Sequence, residues 1–374
     1  MQRGYVDQQF GGLDWKAVKS DYLKRKYKNM GEARAAVSEM IGLLGDKFTR
    51  YLTPGAYEAL LAKYERPADN GGIGVTVRNL PGATPTQLGP VEIVSVVPGG
   101  PAAAGGVRVG DVIEKVDGRA LPTGATADDA AGVLIGRLDE PLALELRRAD
   151  GDASVSFNLR RAVLAQGEAE VGSAERAGGS RVGVLTLRSF SAPVAGGGGG
   201  GTLASMQQAL AREPLASAAE LLIDLRGNPG GHFPSGVDAA KLFLPSDVTV
   251  VATADRTGRP SPALTFAAGP YANSGRPTYI LVDRGTASAA EVFAAALQQN
   301  RAATVIGETT YGKGLVQSIQ KLTDNSAVVL TVAKYRTPKG DDINGKGVRP
   351  NLPITCAPGT DAVACLEAAL VTKK

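Results

Sequence analysis

Histidine is nearly absent from this sequence. One residue, His232, is the only histidine among 374, which excludes metal centres built from several imidazoles. Any Ser-His-Asp triad would have to use that one ring. Cysteine is almost as scarce: Cys356 and Cys365 fit no common zinc spacing, and no third thiol exists to complete a site. The pair forms a disulfide in an oxidising compartment or stands as two free thiols. No apolar run reaches the length of a membrane span. The N-terminal MQRGYVDQQF has neither the basic-then-apolar plan of a signal peptide nor the Arg/Ser-rich plan of a transit peptide. The expectation is a cytoplasmic protein or a mature form whose targeting segment has been removed. A strong charge imbalance is also missing. The net charge is +4 with charges spread along the chain, and no block reads as a nucleic-acid footprint.

What is present is ordinary globular material, with 43% hydrophobic and 21% charged residues. The length favours two or three domains. Residues 14–64 read as helical, with Val37, Met40, Ile41 and Leu44 forming one apolar stripe. The connection DKFTRYLTP (46–54) precedes a short helix over Gly55–Tyr64. From Gly71 to Arg161 the texture turns to β-runs (Gly74–Arg78, Val91–Val97, Asp111–Val116, Leu142–Arg148) separated by Gly and Pro turns, with one helix predicted over Ala127–Leu138. From Arg181 onward strands alternate with helices, the pattern of an α/β domain. The run Gly196–Gly201 reads as a surface loop; it lacks the Lys-Ser/Thr of a phosphate-binding loop.

Residues 70–162 resemble a PDZ domain, through Gly72-Ile73-Gly74-Val75 at the first strand and SVVPGGPAAAGGVRVGDVIEKVDGRAL at 95–121. Such modules take a peptide C-terminus as an added strand, its carboxylate received by backbone N–H groups of a glycine-rich loop. After the predicted helix, Gly136-Arg137-Leu138-Asp139-Glu140-Pro141 departs from the Arg-Gly-x-x-Gly-Thr turn usual in protease-linked PDZ modules.

Three segments of the α/β region carry chemistry. DRGTASAAE (283–291) follows the apolar YILV and opens a helix, which puts Ser288 at a helix N-terminus. Ser288-Ala289-Ala290-Glu291 is also a capping box, for which structural Ser and Glu suffice. The same geometry suits a nucleophile, since free N–H groups and the positive dipole end stabilise an oxyanion. Tyr311-Gly312-Lys313-Gly314 leads into a strand. A lysine acts as general base when burial lowers its pKa, and strand alternation puts Gln317 on the face of Lys313. An isolated Gly-Lys-Gly is equally a solvated turn, and Lys346 in Asn344-Gly345-Lys346-Gly347 repeats the pattern. LLIDLRGNPGG (221–231) ends a strand in a glycine-rich turn, where α/β domains build their sites. There Gly231 N–H and Ala289 N–H can form an oxyanion hole, each donor typically worth about 2.7–4 kcal/mol. His232 follows without a matched carboxylate and is read as a loop residue.

Taken in order, GDKFTRYLTP, the PDZ-like module, DLRGNPGG, TASAAE, YGKGLVQ and KYRTPKGDDINGKGVRPNLPI resemble the carboxyl-terminal processing proteases. This is the tail-specific serine peptidase family, and the likeness spans nearly the whole chain. The resemblance implies Ser288, Lys313 and Gln317 as the catalytic group, with Gly231 and Ala289 as oxyanion donors. It also implies a multidomain α/β fold: an N-terminal helical domain (1–69), a PDZ domain (70–162) and a crotonase-like catalytic core related to the Clp peptidase (163–374). The C-terminal tail is expected against the helical domain. The implied reaction is metal- and cofactor-free hydrolysis near a substrate's C-terminus through an acyl-enzyme, by a monomer with no integral membrane segment. The N-terminal layout is closest to the photosynthetic branch, which trims the D1 precursor of photosystem II in the thylakoid lumen; a bacterial periplasmic relative would look much the same. The competing readings are a catalytically silent PDZ-bearing scaffold and a crotonase-like acyl-CoA enzyme. The joint presence of Ser288, Lys313 and Gln317 opposes the first, and the PDZ module with a lysine base opposes the second.

Overall fold

A computed structural model describes the chain apart from residues 1–3, 47, 66–69, 82–87, 98, 122–124, 126, 150, 152–153, 163–168, 194–200, 273, 358 and 373–374. Gly196–Gly200 of the glycine run therefore lies outside the described residues, as do the segments beside the expected boundaries at 69 and 163. By contacts the chain divides into two units: Met1–Ala165 with Gln317–Thr331, and Gln166–Val316 with Val332–Lys374.

The first unit opens with α1 (Trp15–Lys24) and α2 (Met30–Gly42), N-capped by the side chains of Asp14 and Asn29. The connection predicted after them holds a short strand, β1 (Arg50–Leu52), before α3 (Pro54–Glu65). The PDZ-like part follows as β2 (Asn70–Gly71), β3 (Val75–Pro81), β4 (Leu88–Val96), α4 (Pro101–Gly105), β5 (Val112–Val116), β6 (Arg119–Ala120), α5 (Ala127–Leu134), β7 (Gly136–Arg137), β8 (Pro141–Arg147) and β9 (Ser154–Arg160). Its sheet has the order β3-β4-β5-β8-β9, with β6 on β5. In β8, Leu142, Leu144 and Leu146 alternate inward onto Ile73, Ile93, Ile113 and Phe157.

The helix predicted to run to Leu138 stops at Leu134. The buried Arg161 guanidinium donates to the carbonyls of Val133 and Leu134 and pairs with Glu140, satisfying a helix end that would otherwise be orphaned. Gly136 belongs there because a Cβ would sit 2.7 Å from Arg161 Nε.

The second unit contains β10 (Ala169–Glu175), β11 (Arg181–Leu187), α6 (Gly201–Leu210), β12 (Glu220–Asp224), α7 (Phe233–Lys241), β13 (Thr249–Asp255), β14 (Pro260–Leu264), β15 (Thr278–Val282), α8 (Ala289–Gln299) and β16 (Thr304–Gly307). Then come β17 (Leu315–Lys321) and β18 (Ala327–Arg336), strands within which the chain passes between units, and finally β19 (Leu352–Pro353) and α9 (Ala362–Val371). In the first unit β1 pairs antiparallel with Ala327–Val329; in the second β13 pairs with Ala333–Arg336. The main sheet runs β10-β11-β12-β15-β16-β19, parallel except for the antiparallel β10 edge. β12 is buried at all five positions, as expected of a strand covered on both faces. One face carries α6, α7 and α8 around Phe190, Met206, Phe243 and Phe293.

The other face carries α9, through Val363, Cys365, Leu366 and Ala369. The apolar stripe of the C-terminal helix is thus buried on the parallel sheet. Cys356 and Cys365 are joined as a disulfide, with Cα atoms 6.1 Å apart.

Candidate active site

Ser288 stands at the carboxyl end of β15, as N-cap of α8, with φ +57° and ψ −119°. A non-glycine residue there costs about 1–3 kcal/mol. The strain belongs to a sharp strand-to-helix turn, the arrangement that lifts a nucleophile clear of the backbone. The loops after β12 and β16 clamp it. Asn228, fully buried, accepts from Gly230 N–H and donates to Leu187 O, while its own carbonyl accepts from Ala287 N–H. Thr286 donates its hydroxyl to Leu225 O and accepts through its carbonyl from Tyr311 N–H. Gly230, at φ +90°, has no space for a side chain: a Cβ would meet Ala287 O at 2.5 Å and Ser288 Cβ at 2.7 Å.

Gly231 is exposed and bridges to Phe190. Neither Gly231 N–H nor Ala289 N–H is committed to a backbone acceptor among the described residues.

Lys313 is half-buried, and its backbone is held at both ends. Its N–H donates to Glu291 Oε2 at 2.8 Å, and its carbonyl accepts from the buried Tyr335 hydroxyl, which also lies 3.2 Å from Ser288 O. The flanking glycines permit close backbone approach. A Cβ on Gly312 would meet Gly347 N at 2.8 Å, and one on Gly314 would meet Asn344 N at 2.8 Å. The second Gly-Lys-Gly turn, around Lys346, thus packs its backbone against the first.

Glu291 is the residue that sequence reasoning undervalued. It is fully buried, and its two oxygens accept from four donors: Thr310 Oγ1 and Gly312 N–H at Oε1, Ser288 N–H and Lys313 N–H at Oε2. Burial pushes its carboxyl above the ordinary value, and the donors pull it partly back. One carboxylate therefore fixes both the Ser288 turn and the lysine loop. Asp224 and Arg226, a second unnoticed pair, lock the end of β12: the guanidinium grips the carboxylate at 2.7–3.1 Å and donates to Thr360 O at 2.9 Å. The available signal was an Asp at the end of the apolar run with an Arg two residues on, at the start of the turn.

His232 is the N-cap residue of α7. Its Nδ1 lies 2.8 Å from Ser235 Oγ, whose own hydrogen goes to Ser191 O. By elimination Nδ1 carries the proton and donates. Burial lowers the ring's pKa, so it stays neutral. Among the described residues no group of three or more His, Cys, Asp or Glu converges as a metal site would need.

Gln317 lies on β17, in the segment grouped with the first unit, and its amide nitrogen is buried without a hydrogen-bond partner among the described residues. In the PDZ-like part, Gly72 N–H is taken by Ala162 O at 3.0 Å, whereas Ile73 N–H and Gly74 N–H have no backbone acceptor among the described residues. Val75 opens β3, alongside which α5 packs.

Residues 181–354 match the peptidase family S41 and residues 92–148 the PDZ domain. The carboxyl-terminal-processing protease of Synechocystis sp. is 32% identical over 351 residues, 94% of this chain and 78% of that protein. The chain belongs to peptidase family S41, among the carboxyl-terminal-processing proteases. The chloroplastic C-terminal processing peptidase of Tetradesmus obliquus is 32% identical over 94% of this chain and 74% of its own length. A solved photosystem II D1 C-terminal processing protease matches with a TM-score of 0.76 at 32% identity, covering 95% of this chain and 90% of that one.

Proposed function

We propose that this protease cuts protein substrates near their C-terminus, with Ser288 as nucleophile and Lys313 as general base, acting as a monomer. The observation that carries the reading is the Glu291 carboxylate, which holds the Ser288 turn and the Lys313 backbone in one hydrogen-bonded frame. Neutral Lys313 takes the Ser288 hydroxyl proton as Oγ attacks the scissile carbonyl, and the oxyanion is received by Gly231 and Ala289 N–H. The lysine ammonium gives that proton to the departing amine, leaving an acyl-serine. Lys313 then deprotonates water, which hydrolyses the ester and restores the enzyme. Gln317 orients the lysine. The substrate's terminal carboxylate docks at Ile73 and Gly74 N–H, and its last residues add to β3 as a strand, opposite α5.

The substrate we infer is the D1 precursor of photosystem II, cut in the thylakoid lumen or at the equivalent periplasmic face of a bacterium. Its support is the likeness to the chloroplastic, cyanobacterial and D1-processing relatives. Ser288→Ala and Lys313→Ala should each abolish cleavage of a tailed test protein while melting stays near wild type; turnover in either variant sinks the mechanism. A D1 precursor tail should be cut in preference to unrelated tails, and equal cutting of all tails would remove D1 as the substrate.

A further inference from the structure

The end of the α1–α2 hairpin carries a surface that the protease reaction does not use. Eight consecutive residues, Leu23 to Met30, are exposed, in the order Leu-Lys-Arg-Lys-Tyr-Lys-Asn-Met. Across residues 15–30 there are six basic side chains and one acidic, a net +5 against +4 for the whole chain. The remainder is thus close to neutral, and the positive charge is concentrated here. Reading the charges as spread along the chain missed this concentration, which a count over residues 15–30 alone brings out; ion pairing then decides which of these charges stay free. Arg25 is one that does: it pairs with Asp21 at 2.9 Å and Glu39 at 3.6 Å and lies over the Tyr22 ring. Lys24, Lys26 and Lys28 make no ion pair among the described residues.

Large apolar side chains are interleaved with these lysines. Leu23 is 74% exposed and Met30 58%, with the half-exposed Tyr27 between them. Tyr27 is anchored by its hydroxyl on Tyr22 O, which stiffens the connection. Free lysines alone would suit any polyanion. Lysines alternating with exposed Leu, Tyr and Met suit a surface that is anionic outside and apolar a few ångströms below, where the stems reach apolar depth and the ammonium groups stay at the headgroups. Self-association through this end is opposed by the like charge on each copy.

We infer that the α1–α2 end docks the protease peripherally on an anionic lipid surface, with Lys24, Lys26 and Lys28 at the headgroups and Leu23 and Met30 in the interfacial layer. No helix among the described residues is long and apolar enough to cross a membrane, so the attachment is reversible and salt-sensitive.

The test is co-sedimentation of the full chain with vesicles of phosphatidylcholine alone or mixed with phosphatidylglycerol, at low and high salt. Binding should require phosphatidylglycerol and weaken with salt. Replacing Lys24, Lys26 and Lys28 together by Gln should lower partitioning ~100-fold. The pair Leu23→Ser and Met30→Ser should weaken it severalfold with the charges intact. Both variants should cleave a soluble tail peptide at the wild-type rate, which separates this proposal from the reading of the active site. Absence of binding to the mixed vesicles, or equal binding by the triple variant, overturns it. So does unchanged vesicle binding by the Leu23/Met30 pair together with displacement by a DNA duplex, since the end would then be a nucleic-acid contact.

Discussion

Replacing Glu291 by Gln tests whether one carboxylate holds the catalytic frame together. The substitution keeps the size and removes one acceptor oxygen. Each oxygen now receives two donors, so the amide NH2 must face a pair of them. If it turns toward Ser288 and Lys313, both backbone N–H groups lose their acceptor. If it turns toward Thr310, the hydroxyl rotates to accept, but Gly312 N–H is still stranded. At least one buried N–H is left unpaired, costing about 1–3 kcal/mol, and the loop before Lys313 is pushed away from the Ser288 turn. A displacement near 1 Å at a reacting pair lowers the rate by ~100-fold, so kcat on a tail peptide should fall by ~10–100-fold with little change in KM. Labelling of Ser288 by a fluorophosphonate, which needs no tail recognition, should slow in parallel. Burial holds the Glu291 carboxyl above its ordinary value. Its contribution to stability is therefore fullest below the ordinary carboxyl range and is lost as pH rises through the raised value, and glutamine should flatten that part of the curve. Wild-type kcat and melting temperature in Glu291→Gln would refute the reasoning.

Gly230→Ala should be nearly inactive and less stable, because its Cβ would overlap Ala287 O and Ser288 Cβ at φ +90°; a peptide assay with circular dichroism checks both. Arg161→Ala removes the guanidinium that caps α5 and leaves the Val133 and Leu134 carbonyls without it, which should cost about 1–3 kcal/mol in the PDZ-like part, read by urea unfolding. Hydrogen bonding from Ser326, with the Arg34 guanidinium, holds the Asp324 carboxyl at about 2. A depressed carboxyl contributes stability above its ordinary value of 3.8 that is lost as pH falls toward about 2. Asp324→Asn should therefore flatten this part of the acid limb of a melting-temperature profile.

The strands of the parallel sheet are legible in the sequence because burial on both faces writes them as apolar runs, as in Leu221–Ile223. β10 is not legible: Ala169–Glu175 is a half-exposed edge strand, defined by its ladder with β11 and not by alternation. α5 reads too long for a similar reason. The apolar pattern continues through Ile135 and Leu138, and the group that ends the helix is Arg161, distant in sequence. Ser288 is the sharpest instance. Ser-x-x-Glu is the same four letters whether the pair caps a helix or frames a nucleophile, and here Glu291 accepts from the Ser288 N–H as a capping box expects. Two features separate the roles, and neither is local. The backbone at Ser288 stands at φ +57° between the loops that follow β12 and β16, and the remaining capacity of Glu291 is filled by Thr310, Gly312 and Lys313 of the second of these loops. A cap would leave that capacity to water. Here the lysine loop occupies it, so one carboxylate ties the helix terminus to Lys313, the frame on which the proposed Ser/Lys chemistry rests.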